Sequence, residues 1–150
     1  MKKKIIVLFA FLLLCSCGYS PIYSGKNFNF NILKISKKEN NKISSKIKRN
    51  LLNLSNDASE NLLTLTFDSQ KKITVISKDT KGNPSRYEMT IIIDLQVEYG
   101  DGKKDNKSFS ANFNYKADSN KFNLSQYEKE IEELLINKII EDCTIFLSRI

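Results

Sequence analysis

Alternation of apolar and polar residues is the clearest pattern in the sequence, and it is strongest from residue 86 to residue 99. The odd positions there are Tyr, Met, Ile, Ile, Leu, Val and Tyr, while most even positions are charged or polar. A period of two residues is that of a strand with one buried face, so this stretch predicts a long amphipathic strand. Residues 63–67 and 73–75 continue the odd parity, and turn-forming residues occupy 79–85.

These two stretches predict a β-hairpin centred near Gly82, with one apolar face throughout. The predicted cross-strand pairs are Val75 with Met89, Ile73 with Ile91, and Phe67 with Val97. Ser69 and Lys71 interrupt the apolar parity, so we expect a β-bulge or edge fraying at those positions.

Two further strands follow from the same alternation. Apolar residues from Phe28 predict a first strand over residues 28–35. After the turn at 100–102, Phe109, Ala111, Phe113 and Tyr115 alternate with Ser and Asn, which predicts a third strand of a meander.

Helical spacing is found in two places. An apolar stripe at steps of four, four and three predicts a helix from about residue 43 to residue 54, followed by a polar loop at 53–59. A longer stripe from Tyr127 to Ile150 predicts a C-terminal helix over 125–150, with Ser125 and Glu128 as a capping box.

The predicted order is β-α-β-β-β-α, an α+β fold of two layers in which a four-stranded mixed sheet carries two helices on one face. With the first two strands parallel, loop 79–85 and linker 116–123 lie at one end of the sheet. The segment before residue 28 and the loops 55–60 and 100–107 lie at the other end.

The N-terminus has the pattern of an export signal. Three lysines precede a ten-residue apolar run, which is too short for a membrane-spanning helix, and Leu14-Cys15-Ser16-Cys17 is similar to a bacterial lipobox. We expect residues 1–16 to be removed, Cys17 to be lipidated, residues 17–27 to form a tether and residues 28–150 to form one domain. An uncleaved N-terminal anchor helix is the alternative.

Charge and composition narrow the function classes. The formal charge is +7, which falls to +4 without the three lysines of the signal, and lysines outnumber arginines by 21 to 3. Nucleic-acid binding is not expected, because no dense arginine-containing stripe follows the signal.

The chain has no histidine, so the commonest general base and neutral metal ligand is missing, and we predict no catalytic site, metal or cofactor. Cys143 is expected to be a small buried hydrophobe, and the carboxylates of Glu88, Asp94 and Glu98 to lie on a solvated strand face.

Two short motifs resemble the lipopolysaccharide-assembly lipoprotein LptE family. The mature chain would open with Cys17-Gly18-Tyr19-Ser20-Pro21-Ile22-Tyr23, similar to the family's Cys-Gly-aromatic-x-Pro-Leu-Tyr. The stretch from Gly82 to Met89, followed by the long strand, is similar to a second motif of the family, and the terminal amphipathic helix resembles the family's ending.

The resemblance implies a non-enzymatic lipoprotein at the periplasmic side of the outer membrane, which plugs an LptD-type β-barrel and helps to insert lipopolysaccharide into the outer leaflet. Gly18 is similar to an outer-membrane sorting residue. The polar sheet face would meet the polar lumen of the barrel, although an ordinary solvent-facing sheet would look the same. This face is predicted to include Thr90, Asp94, Gln96, Ser110 and Asn112.

Basic residues gather at the end of the predicted sheet opposite the tether, namely Lys37, Lys38, Lys78, Lys81, Arg86, Lys116 and Lys121. We expect Lys78, Lys81, Arg86 and Lys121 to contact anionic groups of lipopolysaccharide; a role in solubility alone is the alternative. Two other functions stay open from the sequence: an outer-membrane lipoprotein that scaffolds another envelope complex, and a lipid-anchored periplasmic hydrolase.

Overall fold

A computed structural model of the protein describes residues 28–39 and 41–150. It contains four strands and two helices: β1 (Asn31–Lys37), α1 (Lys42–Leu52), β2 (Leu62–Lys78), β3 (Pro84–Tyr99), β4 (Lys104–Lys116) and α2 (Lys121–Leu147). The predicted signal peptide, the tether and Cys17 lie outside the described residues.

The strands form one mixed sheet in the order β1-β2-β3-β4, in which β1 and β2 are parallel and the other pairs are antiparallel. Both helices pack on the same face of the sheet, to which β2, β3 and β4 contribute odd-numbered buried residues and β1 contributes Ile32 and Ile35. The predicted α+β sandwich is therefore confirmed. We call the end of the sheet that holds loop 79–83 and the start of α2 the upper pole, and the end that holds loops 53–61 and 100–103 the lower pole.

The register of the predicted hairpin was wrong by two residues. Ile73 pairs with Met89 and Phe67 with Leu95, and residues 79–83 form the loop, which is centred on Lys81 and not on Gly82. A shift of two residues keeps every side chain on its own face, so the apolar pattern could not detect it.

The predicted irregularity at Ser69 and Lys71 was also misplaced. Both residues pair in regular register with β3, and the register shifts only near the turn, between Val75 and Lys78. Ser69 fits the buried face because its hydroxyl lies 2.5 Å from that of Ser44 on α1, so the polar group is hydrogen-bonded.

The first strand contains an irregularity that the sequence pattern did not predict, and it begins three residues later than expected. The register with β2 shifts between Ile32 and Lys34, which leaves Leu33 as an extra, exposed residue. The shift lets Ile35 return to the core, where it is buried beside Ile32.

The long helix begins at Lys121 and not at Ser125, so the predicted capping box does not form. Asn120 is the N-cap, and its side-chain oxygen accepts hydrogen bonds from the backbone amides of Phe122 (3.0 Å) and Asn123 (3.3 Å). Glu128 accepts instead from the hydroxyl of Tyr115, at 2.7 Å. In α1 the N-cap is Asn41, which accepts from the amide of Ser44 at 2.8 Å.

The core lies between the sheet and the helices and includes the predicted stripe residues Ile43, Ile47 and Leu51 of α1. Cys143 is fully buried there, as predicted, and burial raises the pKa of its thiol to about 12. A thiol with so high a pKa stays protonated, and this fits a packing role rather than a nucleophilic one.

Candidate functional site: a cationic pole beside a groove

The upper pole is built on an ordered turn. The carboxylate of Asp79 accepts hydrogen bonds from the backbone amides of Lys81 and Asn83, both at 2.8 Å, and Gly82 adopts the left-handed conformation at φ 85°. Hydrogen bonding, above all from the Asn83 amide, lowers the pKa of the Asp79 carboxyl. The acidic group is thus engaged by the turn, and the Lys81 side chain projects from it.

The structure places the four predicted lipid-contacting cations at this pole. Lys78 ends β2 opposite Pro84, Lys81 lies in the turn, and Lys121 begins α2. Arg86 lies between Ser77 on one side and Lys116 on the other, so Lys116 joins the group. All five side chains are exposed.

Lys37 and Lys38, which the sequence placed at the same pole, lie elsewhere. Lys37 pairs with Phe67, and the amide of Lys38 donates to the Phe67 carbonyl, far from the end of β2 at Lys78. Eleven residues separate these levels, or about 36 Å at the usual rise of a strand. The first strand is simply much shorter than the hairpin beside it.

The cations of the upper pole have no acidic partners. Within the part of the chain that the structure describes, no ion pair involves Lys78, Lys81, Arg86, Lys116 or Lys121. At the lower pole, in contrast, Lys103 pairs with Asp101 and Lys104 with Glu98.

The helix dipole adds to this asymmetry. The N-terminus of α2 points to the upper pole, and its first turn contains no acidic residue to offset the positive end of the dipole. The upper pole is therefore suited to attract anions, while Asp57, Glu60 and Asp105 add negative charge around the lower pole.

A groove of about 520 Å³ opens beside the cations, between the end of β4 and the start of α2. Its walls include Phe113, Leu124 and Tyr127, and Arg86 and Lys116 contribute to its rim. Phe113 is 37% exposed and Tyr127 is 44% exposed. Sequence reasoning missed this groove, because it assigned Phe113 and Tyr127 to the core stripes of two separate elements.

Within residues 28–39 and 41–150 no helix packs on the even-numbered face of the sheet, and this face is largely polar, as the strand pattern predicts. Gln96 donates to Asn106 at 3.0 Å and Asn112 donates to Glu88 at 3.2 Å, so polar side chains are linked across strands. A shallow depression of about 330 Å³ lies on this face near Asp94 and Gln96. Thr90, Asp94, Gln96, Ser110 and Asn112 are all exposed or half-buried.

Two features are absent from the described residues: a cluster of metal-binding side chains and a membrane-spanning helix. No group of three or more Cys, Asp or Glu side chains among them is placed to hold a metal ion. None of the helices in residues 28–39 and 41–150 is long and apolar enough to cross a membrane.

Comparison with solved structures shows that the fold occurs in bacterial lipoproteins. The chain is similar to rare lipoprotein B from Shewanella oneidensis, with a TM-score of 0.58, 18% identity, and coverage of 77% of this chain and 94% of that chain. It is also similar to a minor lipoprotein from Acinetobacter baumannii, with a TM-score of 0.61, 12% identity, and coverage of 81% and 92%. No protein-family model matches the sequence, and the comparison with curated proteins found no significant match.

These similarities agree with the resemblance carried by the two sequence motifs. At such low identities they show the fold alone. The similarity extends over nearly the whole length of both of those chains.

Proposed function

We propose that the protein is an outer-membrane lipoprotein, anchored through Cys17, that acts as a plug and assembly partner of an LptD-type β-barrel in lipopolysaccharide transport. The observation that carries this proposal is the group of unpaired cations at the pole opposite the anchored end, beside an apolar groove. Lipopolysaccharide combines phosphate and carboxylate groups with acyl chains, so it needs cations and apolar surface next to each other.

The position of the cations supports contact with the lipid. Lys78, Lys81, Arg86 and Lys121 lie at one pole with Lys116, and none of them forms an ion pair among the described residues, although Asp118 also lines the groove. Arginine and lysine are the side chains that bind phosphate most strongly, Arg86 with two hydrogen bonds and the lysines as point charges. The aromatic residues of the groove would lie against acyl chains.

The uncovered sheet face supports the contact with a barrel. A large barrel has a polar lumen, and a plug must present polar groups to it while its own core stays closed. The even-numbered face fits the first requirement, since Thr90, Asp94, Gln96, Ser110 and Asn112 are polar, and the buried core lies on the opposite face, between the sheet and the helices.

The partner is tested by pull-down of the full-length chain from outer membranes. We expect an LptD-type barrel to co-purify in a stable complex, whereas a scaffold of another envelope assembly would recover a different partner. Replacement of Cys17 by Ser should abolish the acyl mass and the membrane association, because each buried CH₂ contributes about 0.8 kcal/mol.

The lipid contact is tested by reversing two charges at the upper pole. The double variant Lys81→Glu/Arg86→Glu should bind lipopolysaccharide about tenfold more weakly than the unsubstituted chain at low salt. This difference in affinity should shrink above about 0.15 M ionic strength, where the Debye length is about 8 Å. The matched control is Lys34→Glu/Lys107→Glu, which changes the net charge equally at exposed positions away from this pole. Equal loss in both variants would show that net charge, and not the cationic pole, governs binding.

A further inference from the structure

The outer edge of β4 is the longest unpaired edge in the described residues. β4 lies at the end of the sheet, pairs with β3 alone, and shows no register shift over its paired length from Lys104 to Lys116. Its other side has no strand partner among residues 28–39 and 41–150.

The direction of the free backbone groups follows from the two ends of the strand. The carbonyl of Lys103 accepts from Tyr99 at 2.9 Å, and the amide of Ala117 donates to Ser85 at 3.0 Å, so odd-numbered residues direct their backbone groups to β3. Because successive residues alternate, the even-numbered residues from 104 to 116 direct N–H and C=O groups outward. The edge therefore offers a regular row of free donors and acceptors.

The central part of this edge lacks the features that normally prevent strand pairing, and the lysines of β4 lie toward its ends, at 104, 107 and 116. Residues 108–115 read Ser-Phe-Ser-Ala-Asn-Phe-Asn-Tyr, without a charge, proline or glycine. Natural proteins usually protect an edge with lysine, proline or a bulge. The edge of β2 has such protection, with Lys71 and Lys72 in the middle of its unpaired part and a bulge near Ser77.

Exposed apolar side chains flank the free edge on the helical side. Phe113 is 37% exposed, and on α2 Tyr127 and Leu134 are 44% and 56% exposed. Tyr127 lies over β4, since its ring centroid is 6.2 Å from that of Tyr115. Leu134 follows two helical turns later, on the same stripe.

We infer that the β4 edge pairs with the β4 edge of a second copy of this chain, in antiparallel register about a two-fold axis at Ala111. Outward backbone groups then meet as hydrogen-bonded pairs, Ser110 with Asn112 of the second copy and Ser108 with Asn114. Ala111 faces its own copy at a non-hydrogen-bonded position, where side chains approach more closely, and Phe109 faces Phe113. Such aromatic cross-strand pairs stabilise a sheet.

Charge disfavours one of the two neighbouring registers. An axis at Ser110 would place Lys104 opposite Lys116 of the second copy, twice in each dimer, and like charges directly opposite are destabilising. Moving the axis to Ala111 leaves no like pair face to face, and it directs Lys104 toward Asp118, two residues beyond the end of β4. A two-fold axis perpendicular to the sheet keeps the helices of both copies on the same side of the combined sheet. The apolar stripes of the two copies, each with Tyr127 and Leu134, therefore become neighbours.

Disulfide trapping of the purified full-length chain tests the register. At a non-hydrogen-bonded pair the Cα atoms are about 4.5 Å apart, within the range of a disulfide. Ala111→Cys should therefore form a covalent dimer on oxidation with copper–phenanthroline. The matched control Asn112→Cys places the two thiols too far apart, at about 9 Å between Cα atoms. The unsubstituted chain controls for Cys15, Cys17 and Cys143.

Charge exchange tests the same pairing without a crosslink. In light scattering, Lys104→Asp should raise the dissociation constant of the dimer about tenfold, and adding Asp118→Lys should restore it. Circular dichroism verifies that each variant is folded.

Two results would overturn the inference: a monomer at every concentration up to that of the trapping experiment, or equal trapping by the two cysteine variants. The inference does not depend on the proposed function. Because Phe113 also lines the groove, the measurements are made on chain free of lipid and of any barrel partner.

Discussion

The buried contact between Ser44 and Ser69 allows a sharp test of how α1 is held on the sheet. The two side chains are 0% and 1% exposed, and their hydroxyl oxygens are 2.5 Å apart. Asn41, the N-cap of α1, also reaches the Ser69 hydroxyl, at 3.3 Å from its amide nitrogen. Ser44, in contrast, has no other side-chain hydrogen bond among the described residues.

The expected cost differs between the two single substitutions. Ser69→Ala leaves the Ser44 hydroxyl buried without a partner, and a stranded buried polar group costs about 1–3 kcal/mol. Ser44→Ala costs less, about 0.5–1.5 kcal/mol, because Ser69 keeps its contact with Asn41. In the double variant neither hydroxyl is stranded, so adding Ser44→Ala to Ser69→Ala should leave stability unchanged or increase it.

Urea unfolding followed by far-ultraviolet circular dichroism measures these differences, since the chain contains no tryptophan. At a slope of about 1–3 kcal/mol per molar urea, the Ser69→Ala midpoint should fall by roughly 1 M. Ser110→Ala, at an exposed position of β4, is the control and should change little. If the two single costs simply add in the double variant, the hydroxyls do not depend on each other and the reasoning is refuted.

Two further predictions concern α2 and its contacts. Asn120→Ala should destabilise the fold by about 1 kcal/mol because it removes the N-cap, whereas Ser125→Ala, at an exposed position inside the helix, should not; the reverse order in thermal unfolding would favour the capping box. Burial and the hydrogen bond to Glu128 raise the pKa of Tyr115 above its value in the unfolded chain. The protonated residue therefore stabilises the fold at neutral pH. This contribution to stability is lost as the pH rises above about 10. Tyr115→Phe should flatten the loss of stability in urea titrations between neutral and strongly alkaline pH, and an unchanged slope would contradict the assignment.

Much of the fold could be predicted from the period of apolar residues, because burial on one face imposes that period on every element. The same signal fails where two arrangements bury the same side chains. The two-residue register error at Met89 is such a case, since only the geometry of the turn around Lys81 distinguishes the alternatives. Ser69 is another case, because a polar residue fits a core only if a partner from a distant element reaches it, and Ser44 is 25 positions away.

The position of the site's cations could be predicted from the sequence, but the groove beside them could not. Topology alone places Lys81, Arg86 and Lys121 at one pole, and the structure brings them there. The groove beside them is bordered by the first turns of α2, which follow the cap at Asn120, five residues before the predicted cap at Ser125. The pattern assigns Phe113 and Tyr127 to the apolar stripes of two separate elements, so it does not show that both line one groove.

The dimensions of the domain bear on how a plug would place its cationic pole. α2 has 27 residues and runs from the upper pole to the lower pole, a length of about 40 Å. The apolar band of an outer-membrane barrel is about 25 Å tall. A domain that entered the lumen with its upper pole first could therefore carry Lys81 and Arg86 to the level of the outer leaflet while the lower pole remained beside the lipid anchor in the inner leaflet. The charges of the two poles fit this orientation. The unpaired cations lie at the upper pole, which would enter first and meet the phosphate groups of lipopolysaccharide. At the lower pole, in contrast, Lys103 and Lys104 are held in ion pairs with Asp101 and Glu98.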